Sequence, residues 1–354
     1  MVGKYASLSN LYELLEVSPR ARPEIIEAAY KTMIKKFHPD KADGDERHTK
    51  TLNAAKGILL DEKKRAEYDA TLRDKKSSKK PSSHDGDYSN LVGKRVGNYD
   101  VLELIAEGGF GKTYRAEHSE RKFPVCIKRG DEVSPLDEEI LLQEAASIWD
   151  LRHYGIPAMR DVVRLEDKSL ALVMSYVPGP TLEKIVEKHG GLDSEHVAWI
   201  AERTLNVLMY LHFNGVIHGD VKPQNIIIQP EEHQIVLVDY GLSLTRPTKD
   251  TSNKGYTPFF APPEQEKGTG TLIPESDLFG LGMVMIYALG GDIERKKVPA
   301  SVPDKLCNFI KRLIVYDVLS RPNWQKENLF ETIRDLRIDV FGRRHSNMKP
   351  LPGA

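Results

Sequence analysis

Cysteine is scarce in this chain: Cys126 and Cys307 are the only two in 354 residues. Two thiols so far apart argue against a disulfide framework and a cysteine-built zinc site, and they suit a reducing compartment. Long apolar runs are missing as well. The longest, LFGLGMVMIYALGG, covers about 14 residues, short of the roughly 20 that a membrane helix needs. The opening MVGKYASLSNLYELLEV has no uninterrupted apolar stretch of signal-peptide type. Net charge is almost absent too, with 51 basic against 52 acidic residues. No long-range field therefore draws nucleic acid or an anionic membrane. No internal repeat is visible. These absences predict a cytoplasmic protein with neither nucleic acid nor membrane among its partners.

The length allows two or three domains, and composition marks a boundary. Residues 73–98, RDKKSSKKPSSHDGDYSNLVGKRVGN, are rich in Lys, Ser, Gly and Asp and poor in large apolar side chains. Such a stretch buries too little to offset its ordering entropy, which predicts a flexible linker. Its KKSSKK tract reads as a solvated tether, with a nucleic-acid or lipid contact as the alternative. Before the linker the pattern is helical. Ile26, Ala29, Tyr30, Met33 and Phe37 recur at three- and four-residue spacing, after a first-turn Pro23. Lys31, Lys35 and Lys36 fall largely off that stripe and make a basic outer face, and Pro39 ends the helix. After the linker, short strand patterns surround one helix, LDEEILLQEAASIWDLRH, and then helices dominate. A small sheet with one helix beside a larger helical lobe is an α+β layout with a cleft between the lobes.

The pieces NLYELLEVSPRARPEIIEAAYKTMIKKFHPDK and LNAAKGILLDEKKRAEYD carry a His38-Pro39-Asp40 tripeptide closing a basic helix. Tyr12, Leu14 and Tyr68-Asp69 complete the pattern. On these residues the first 70 or so positions resemble the J-domain of DnaJ-type co-chaperones; read without that context, the tripeptide is only a helix stop. The resemblance implies that Lys31, Lys35, Lys36, His38, Pro39 and Asp40 contact a chaperone of the 70-kDa heat-shock family, with complementary charge steering the encounter. Glu16-Val17 stands where the family has Gly-Val, and Thr51 with its polar neighbours stands where it is more apolar. No Gly/Phe-rich stretch or cysteine-rich zinc region follows, so this is a J-module attached to something else.

The remainder carries residues suited to phosphoryl transfer, in order. IAEGGFGKTY offers Gly108, Gly109 and Gly111, whose backbone could approach phosphate closely. Lys128 follows Gly111 by 17 positions, and Glu144 stands nine residues before His153. A lysine among apolar strand residues needs a partner; Glu138 and Glu139 rival Glu144 for that place. VIHGDVKPQNIII sets His218, Asp220, Lys222 and Asn225 between apolar runs, and Asp239 of VDYG follows Asp220 by nineteen. Together these resemble the eukaryotic-type Ser/Thr protein kinase, whose signature set is a known template.

The resemblance implies a bilobal protein-kinase fold, preceded by a small all-α J-domain, that uses ATP and magnesium (Mg2+) to phosphorylate protein substrates. Asp220 would take the substrate hydroxyl proton and Lys222 would neutralise the moving phosphoryl group. Asn225 and Asp239 would hold magnesium, for which hard oxygen ligands are suited. ATP would be bound by Ala106, Gly108, Gly109, Phe110, Gly111, Thr113, Cys126, Lys128, Glu144, Met174, Ser175, Val177 and Ile227. His218, Glu264, Asp277 and Arg321 would be structural: a packed histidine, an ion pair between Glu264 and Arg321, and Asp277 as a brace for the catalytic loop. Thr257 falls in the substrate-pocket position. The expected domains are 5–72 (J-domain), 73–98 (linker), 99–335 (kinase) and 336–354 (tail).

Several positions depart from the family. Ala106 replaces the first loop glycine, Thr113 and Cys126 replace Val and Ala, and Ser175 replaces the hinge glutamate. Gly219 replaces the arginine that in the family receives a phosphorylated activation-segment residue, which predicts activity without that phosphate switch. The segment after Gly290 is short, which reduces the helix that often docks protein substrates. The competing readings are a chaperone adaptor with a nucleotide-binding but catalytically weak domain, and a small-molecule kinase.

Overall fold

The computed structural model describes residues 11–15, 17, 21, 23, 26–27, 29–30, 55–61, 64–65, 68–69, 90–108, 111–130, 135–249, 251, 255–268, 270–342 and 351. They belong to two compact units, residues 1–85 and 86–354.

In the first unit, α1 (Leu11–Leu14) and helical residues at 55–59 supply Leu11, Tyr12, Ala55 and Leu59 to one core, joined by Leu15 and Ile26. The Tyr12 hydroxyl donates to the Asp69 carboxylate at 2.7 Å and accepts from Arg65 Nε at 2.9 Å. Arg65 also donates to the Ala21 carbonyl at 2.8 Å, and the Tyr68 hydroxyl accepts the Leu11 N–H at 2.8 Å. A buried phenol satisfied from both sides ties the start of this unit to its end. Lys31, Lys35, Lys36, His38, Pro39 and Asp40 lie outside the described residues.

The second unit begins with an antiparallel sheet of six strands. They are β1 (Arg95–Val96), β2 (Tyr99–Gly108), β3 (Gly111–His118), β4 (Pro124–Arg129), β5 (Met159–Arg164) and β6 (Leu170–Ser175), ordered β1-β2-β3-β4-β6-β5. Period-two alternation assigns the two faces. Val125, Ile127, Ala171 and Val173 join Leu91, Val96 and Tyr114 in one apolar cluster. Leu170, Leu172 and Met174 point the other way and pack with Leu141, Ala145 and Ile148 of α2 (Pro135–Ile148). Leu91 and Val96 are almost wholly buried. The expected linker therefore gives way to folded sheet well before residue 98: two apolar side chains in a polar stretch sufficed to dock it.

The larger lobe contains α3 (Leu182–His189), α4 (Ser194–Phe213), β7 (Val216–Ile217), β8 (Ile226–Gln229), β9 (Gln234–Leu237), β10 (Leu244–Thr245), α5 (Pro263–Glu266), α6 (Pro274–Ala288), α7 (Asp304–Leu313) and α8 (Leu329–Phe341). The long apolar run of the sequence lies mainly in α6, which is buried almost all round, as a helix apolar on every face must be. Helix α8 runs unbroken across the expected boundary between kinase domain (to 335) and tail (from 336), and its Arg337 is buried against Glu202 of α4. By residue type alone an arginine belongs in solvent; a buried carboxylate more than a hundred positions away makes this one a core residue. No described helix is long and apolar enough to cross a membrane.

Candidate active site

Strand β4 alternates, so Cys126 and Lys128 project on the face opposite Val125 and Ile127. In α2, Leu141, Ala145 and Ile148 form the buried stripe, and Glu144 lies on it. A carboxylate and an ammonium buried separately would each cost several kcal/mol. Here they meet: Lys128 Nζ is 2.7 Å from Glu144 Oε2 and 2.6 Å from Asp239 Oδ1. Burial alone would pull the Lys128 pKa down, but the two carboxylates outweigh it and hold it above its ordinary value. Asp239 moves down: burial opposes this, and the Lys128 charge and hydrogen bond prevail. Glu144 is pushed up by burial, offset only in part by Lys128. The rival glutamates have other partners, Glu138 with Arg164 and Glu139 with Gln143.

Antiparallel pairing of β8 with β9 sets the two ends of the constellation side by side, and Val238 N–H donates to the Asn225 carbonyl at 2.8 Å. Asp239 follows with φ 65°, a left-handed conformation that aspartate tolerates better than most residues. Asn225 Nδ2 donates to the Asp220 carbonyl oxygen at 2.9 Å and to Asp220 Oδ2 at 3.1 Å. Both amide protons are thus directed at Asp220, and the side-chain oxygen Oδ1 of Asn225 is the atom that can meet a ligand. Lys222 Nζ is 2.6 Å from Asp220 Oδ2 and 3.1 Å from Thr257 Oγ1; the Thr257 hydroxyl donates to Asp220 Oδ1 at 2.6 Å. An aliphatic hydroxyl therefore already sits within reach of both Asp220 and Lys222. A cleft lined by Asp220, Thr257, Phe260 and Gln265 opens beside it.

On the opposite wall, Gly108 pairs with Gly111 at the end of the β2–β3 hairpin. A side chain at Gly111, where φ is 109°, would place its Cβ 2.0 Å from the Arg129 carbonyl oxygen, so only glycine fits. Gly109 and Phe110 lie outside the described residues. Ala106 pairs with Thr113, Thr113 with Lys128, and Cys126 with Met174. Burial pushes the Cys126 thiol up to about 12. At the strand end, the Ser175 N–H is spent on the Ala158 carbonyl and its hydroxyl accepts from the Ala158 N–H, both at 2.9 Å. Of the expected hinge groups, the Ser175 carbonyl and the Val177 backbone remain. Ile227 is half-buried between fully buried Ile226 and Ile228 and bridges to Thr181.

A family model described as the protein kinase domain matches residues 99–329. This chain belongs to that family. A second model, the DnaJ domain, matches residues 10–69. The chain is 29% identical over 265 residues to the probable serine/threonine-protein kinase CPE1738 of Clostridium perfringens, covering 67% of this chain and 38% of the relative. It is 29% identical over 280 residues to the serine/threonine-protein kinase PrkC of Bacillus subtilis, covering 71% and 41%. With pkn3 of Myxococcus xanthus it shares 31% over 219 residues, 58% and 40% of the two chains. The chain spans about two fifths of the length of these relatives. Its larger unit carries the protein kinase domain.

The 218–225 loop is held from below by α6. The fully buried Asp277 carboxylate accepts the N–H groups of His218 and Gly219, both at 2.8 Å. It also receives His212 Nε2 at 2.8 Å, while the Trp324 indole N–H donates to His212 Nδ1 at 2.8 Å. Indole is a donor only, so the His212 proton belongs on Nε2, facing Asp277. His218 packs at a tilt against Tyr240, ring centroids 4.8 Å apart; its Nδ1 accepts the Asp220 N–H and its Nε2 faces the Val238 carbonyl. With Nδ1 accepting and Nε2 facing a carbonyl, the ring is a neutral, satisfied core histidine, and burial lowers its pKa in the same direction. Arg321 forks onto both oxygens of Glu264 at 2.8 and 2.9 Å. Sequence reasoning missed His212, Trp324 and Gln265. Each finds its partner only through folding, Trp324 meeting His212 across 112 positions and Gln265 meeting the Gly219 carbonyl across 46, and no local spacing signals them.

Proposed function

We propose that this chain is an ATP- and Mg2+-dependent protein kinase that transfers the γ-phosphoryl group to Ser and Thr hydroxyls, and that its J-domain recruits a 70-kDa heat-shock-type chaperone. The observation that carries the kinase reading is the buried amine of Lys128, held by Glu144 from α2 and by Asp239 from beyond β9, with Asp220 and Lys222 already bracketing a hydroxyl.

The donor set fits the metal. Asp239 and Asn225 offer two hard oxygens, too few to hold a divalent ion alone, and magnesium ordinarily completes its shell with phosphate oxygens and water. Bound there, the ion would neutralise charge on the phosphates. The chain's own residues would do the rest. Lys128, positioned by Glu144, would bind the α- and β-phosphates. The Ser175 carbonyl and Val177 backbone would orient adenine, with Met174 and Ile227 as apolar walls. Asp220 would align the acceptor hydroxyl and take its proton as the oxygen bonds to the γ-phosphorus and the bond to the ADP leaving oxygen breaks. Lys222 would offset charge on the transferred group. In the smaller unit the chaperone contact would fall to Lys31, Lys35, Lys36, His38, Pro39 and Asp40.

The test is incorporation of labelled phosphate from ATP and magnesium into a mixed Ser/Thr peptide pool. Wild type should label it, and Asp220→Asn should fall by at least roughly a hundredfold, the lower range for losing a catalytic base. Equal labelling by both, or none by either, would favour an adaptor. The chaperone arm is read separately, as stimulation of a 70-kDa chaperone's ATPase that His38→Gln abolishes.

A further inference from the structure

The Ser/Thr kinase reading leaves a gap at position 219, and the structure fills it from another element. Gly219 has φ 75°, and a Cβ there would lie 2.7 Å from the Leu242 carbonyl oxygen and 3.2 Å from Leu272. Backbone, not the end of a flexible side chain, stands in the way. No arginine fits at this place without moving the segment after Asp239, so the loss of a phosphate-receiving cation is built into the main chain.

Gln265, in α5 and 5% exposed, occupies the space between the two segments such a cation would join. Its Nε2 donates to the Gly219 carbonyl at 2.9 Å and to the Gly255 carbonyl at 2.8 Å. Both partners are carbonyls, so the amine end of the amide must face them, and each of its two protons has its own acceptor. Gly219 is next to Asp220, and Gly255 is two residues before Thr257. Asp277 holds the same Gly219 from its N–H side. The catalytic loop is thereby pinned to α6 through its N–H and to the activation segment through its carbonyl.

We infer that Gln265 is a positioning residue: its amide ties the activation segment to the catalytic loop and sets the Asp220–Thr257–Lys222 arrangement without a phosphate. The inference rests on the kinase reading of the same site and adds to it the means by which the segment is held.

Gln265→Met keeps the length and apolar volume of the side chain and removes both donors. Each neutral hydrogen bond is worth a factor of roughly five, so peptide-directed kcat/KM should fall roughly 10- to 30-fold. Nucleotide affinity, read with a fluorescent ATP analogue, should stay within about twofold, a split that general loosening of the fold would not give. Amide hydrogen exchange at Ala261, a buried segment residue whose N–H donates to the Thr257 carbonyl at 3.0 Å, should quicken while α6 stays protected. Wild type, before and after phosphatase, should show the same activity and the same protection at Ala261. That last measurement needs no variant and decides the matter if Gln265→Met folds poorly. Loss of activity together with Ala261 protection in phosphatase-treated wild type, or a Gln265→Met enzyme with wild-type kcat/KM and unchanged exchange, would overturn the inference. If wild type transfers no phosphate yet exchange responds to Gln265→Met, the tie stands and the kinase reading fails.

Discussion

Replacing Asp277 by asparagine should unhook the 218–225 loop from α6 while changing the side chain's shape very little. The carboxylate takes three donors: the Gly219 N–H on Oδ1, and the His218 N–H with His212 Nε2 on Oδ2. An amide keeps one acceptor oxygen and turns the other position into a donor. If its NH2 faced the His218 side it would oppose two donors, because Trp324 fixes the His212 proton on Nε2. The introduced amide would therefore direct its NH2 at Gly219 and orphan that N–H. A buried orphan donor costs about 1–3 kcal/mol, and two charge-assisted bonds weaken to neutral ones. Relief of carboxylate desolvation offsets part of this, leaving roughly 2–4 kcal/mol. In a domain of this size that lowers Tm by roughly 5–10 °C. Differential scanning fluorimetry would measure it.

The pH dependence provides a second reading. Burial alone would raise the Asp277 pKa, but the His212 hydrogen bond and the Gly219 N–H help to hold it below 3.8. A depressed folded-state value stabilises the protein above the unfolded pKa, and that stabilisation is lost as pH falls through the folded one. The Tm gap between wild type and Asp277→Asn should therefore be full near neutrality and shrink only below about pH 4. Trp324→Phe frees His212 to turn its acceptor nitrogen toward an amide, so the double variant should lose less than the two single losses summed. A Tm change under about 2 °C in Asp277→Asn, or strict additivity with Trp324→Phe, would refute the reasoning.

Two further outcomes follow from buried polar atoms. Tyr240→Phe removes the hydroxyl that donates to the Leu237 carbonyl at 3.2 Å; urea unfolding should register a loss of about 1 kcal/mol, and a neutral or stabilising change would show that bond to be idle. Cys126, half-buried and with its thiol pushed up to about 12, should react with iodoacetamide near pH 8 more slowly than an unstructured cysteine. Mass mapping that found equal rates would contradict the burial of its sulfur.

Much of the site was legible because the kinase residues sit at characteristic spacings along the chain, from the glycine turn through Lys128 to the Asp220–Asn225 loop. Helical phase alone did not choose among the glutamates, since Glu138 falls on the same 3/4-spaced stripe as Leu141 and Ala145; the nine-residue spacing to His153 favoured Glu144, and the fold separates them by giving Glu138 to Arg164 and Glu144 to Lys128. The linker and tail boundaries were harder to place. Leu91, Val96 and Arg337 sit in polar surroundings along the chain, and only a docking surface or a buried partner makes them part of the core.

The sequence by itself determined the family, the order of the polar residues and the glycine at 219. The tertiary structure decided what those residues rest on. Lys128 finds Asp239 across 111 positions, Asp277 holds a loop 58 positions before it, and Gln265 bridges two carbonyls from segments 36 residues apart. Local spacing records which face of a helix or strand a side chain takes. It does not record which distant carbonyl or ring nitrogen lies opposite that face, because the packing of elements against one another sets that placement.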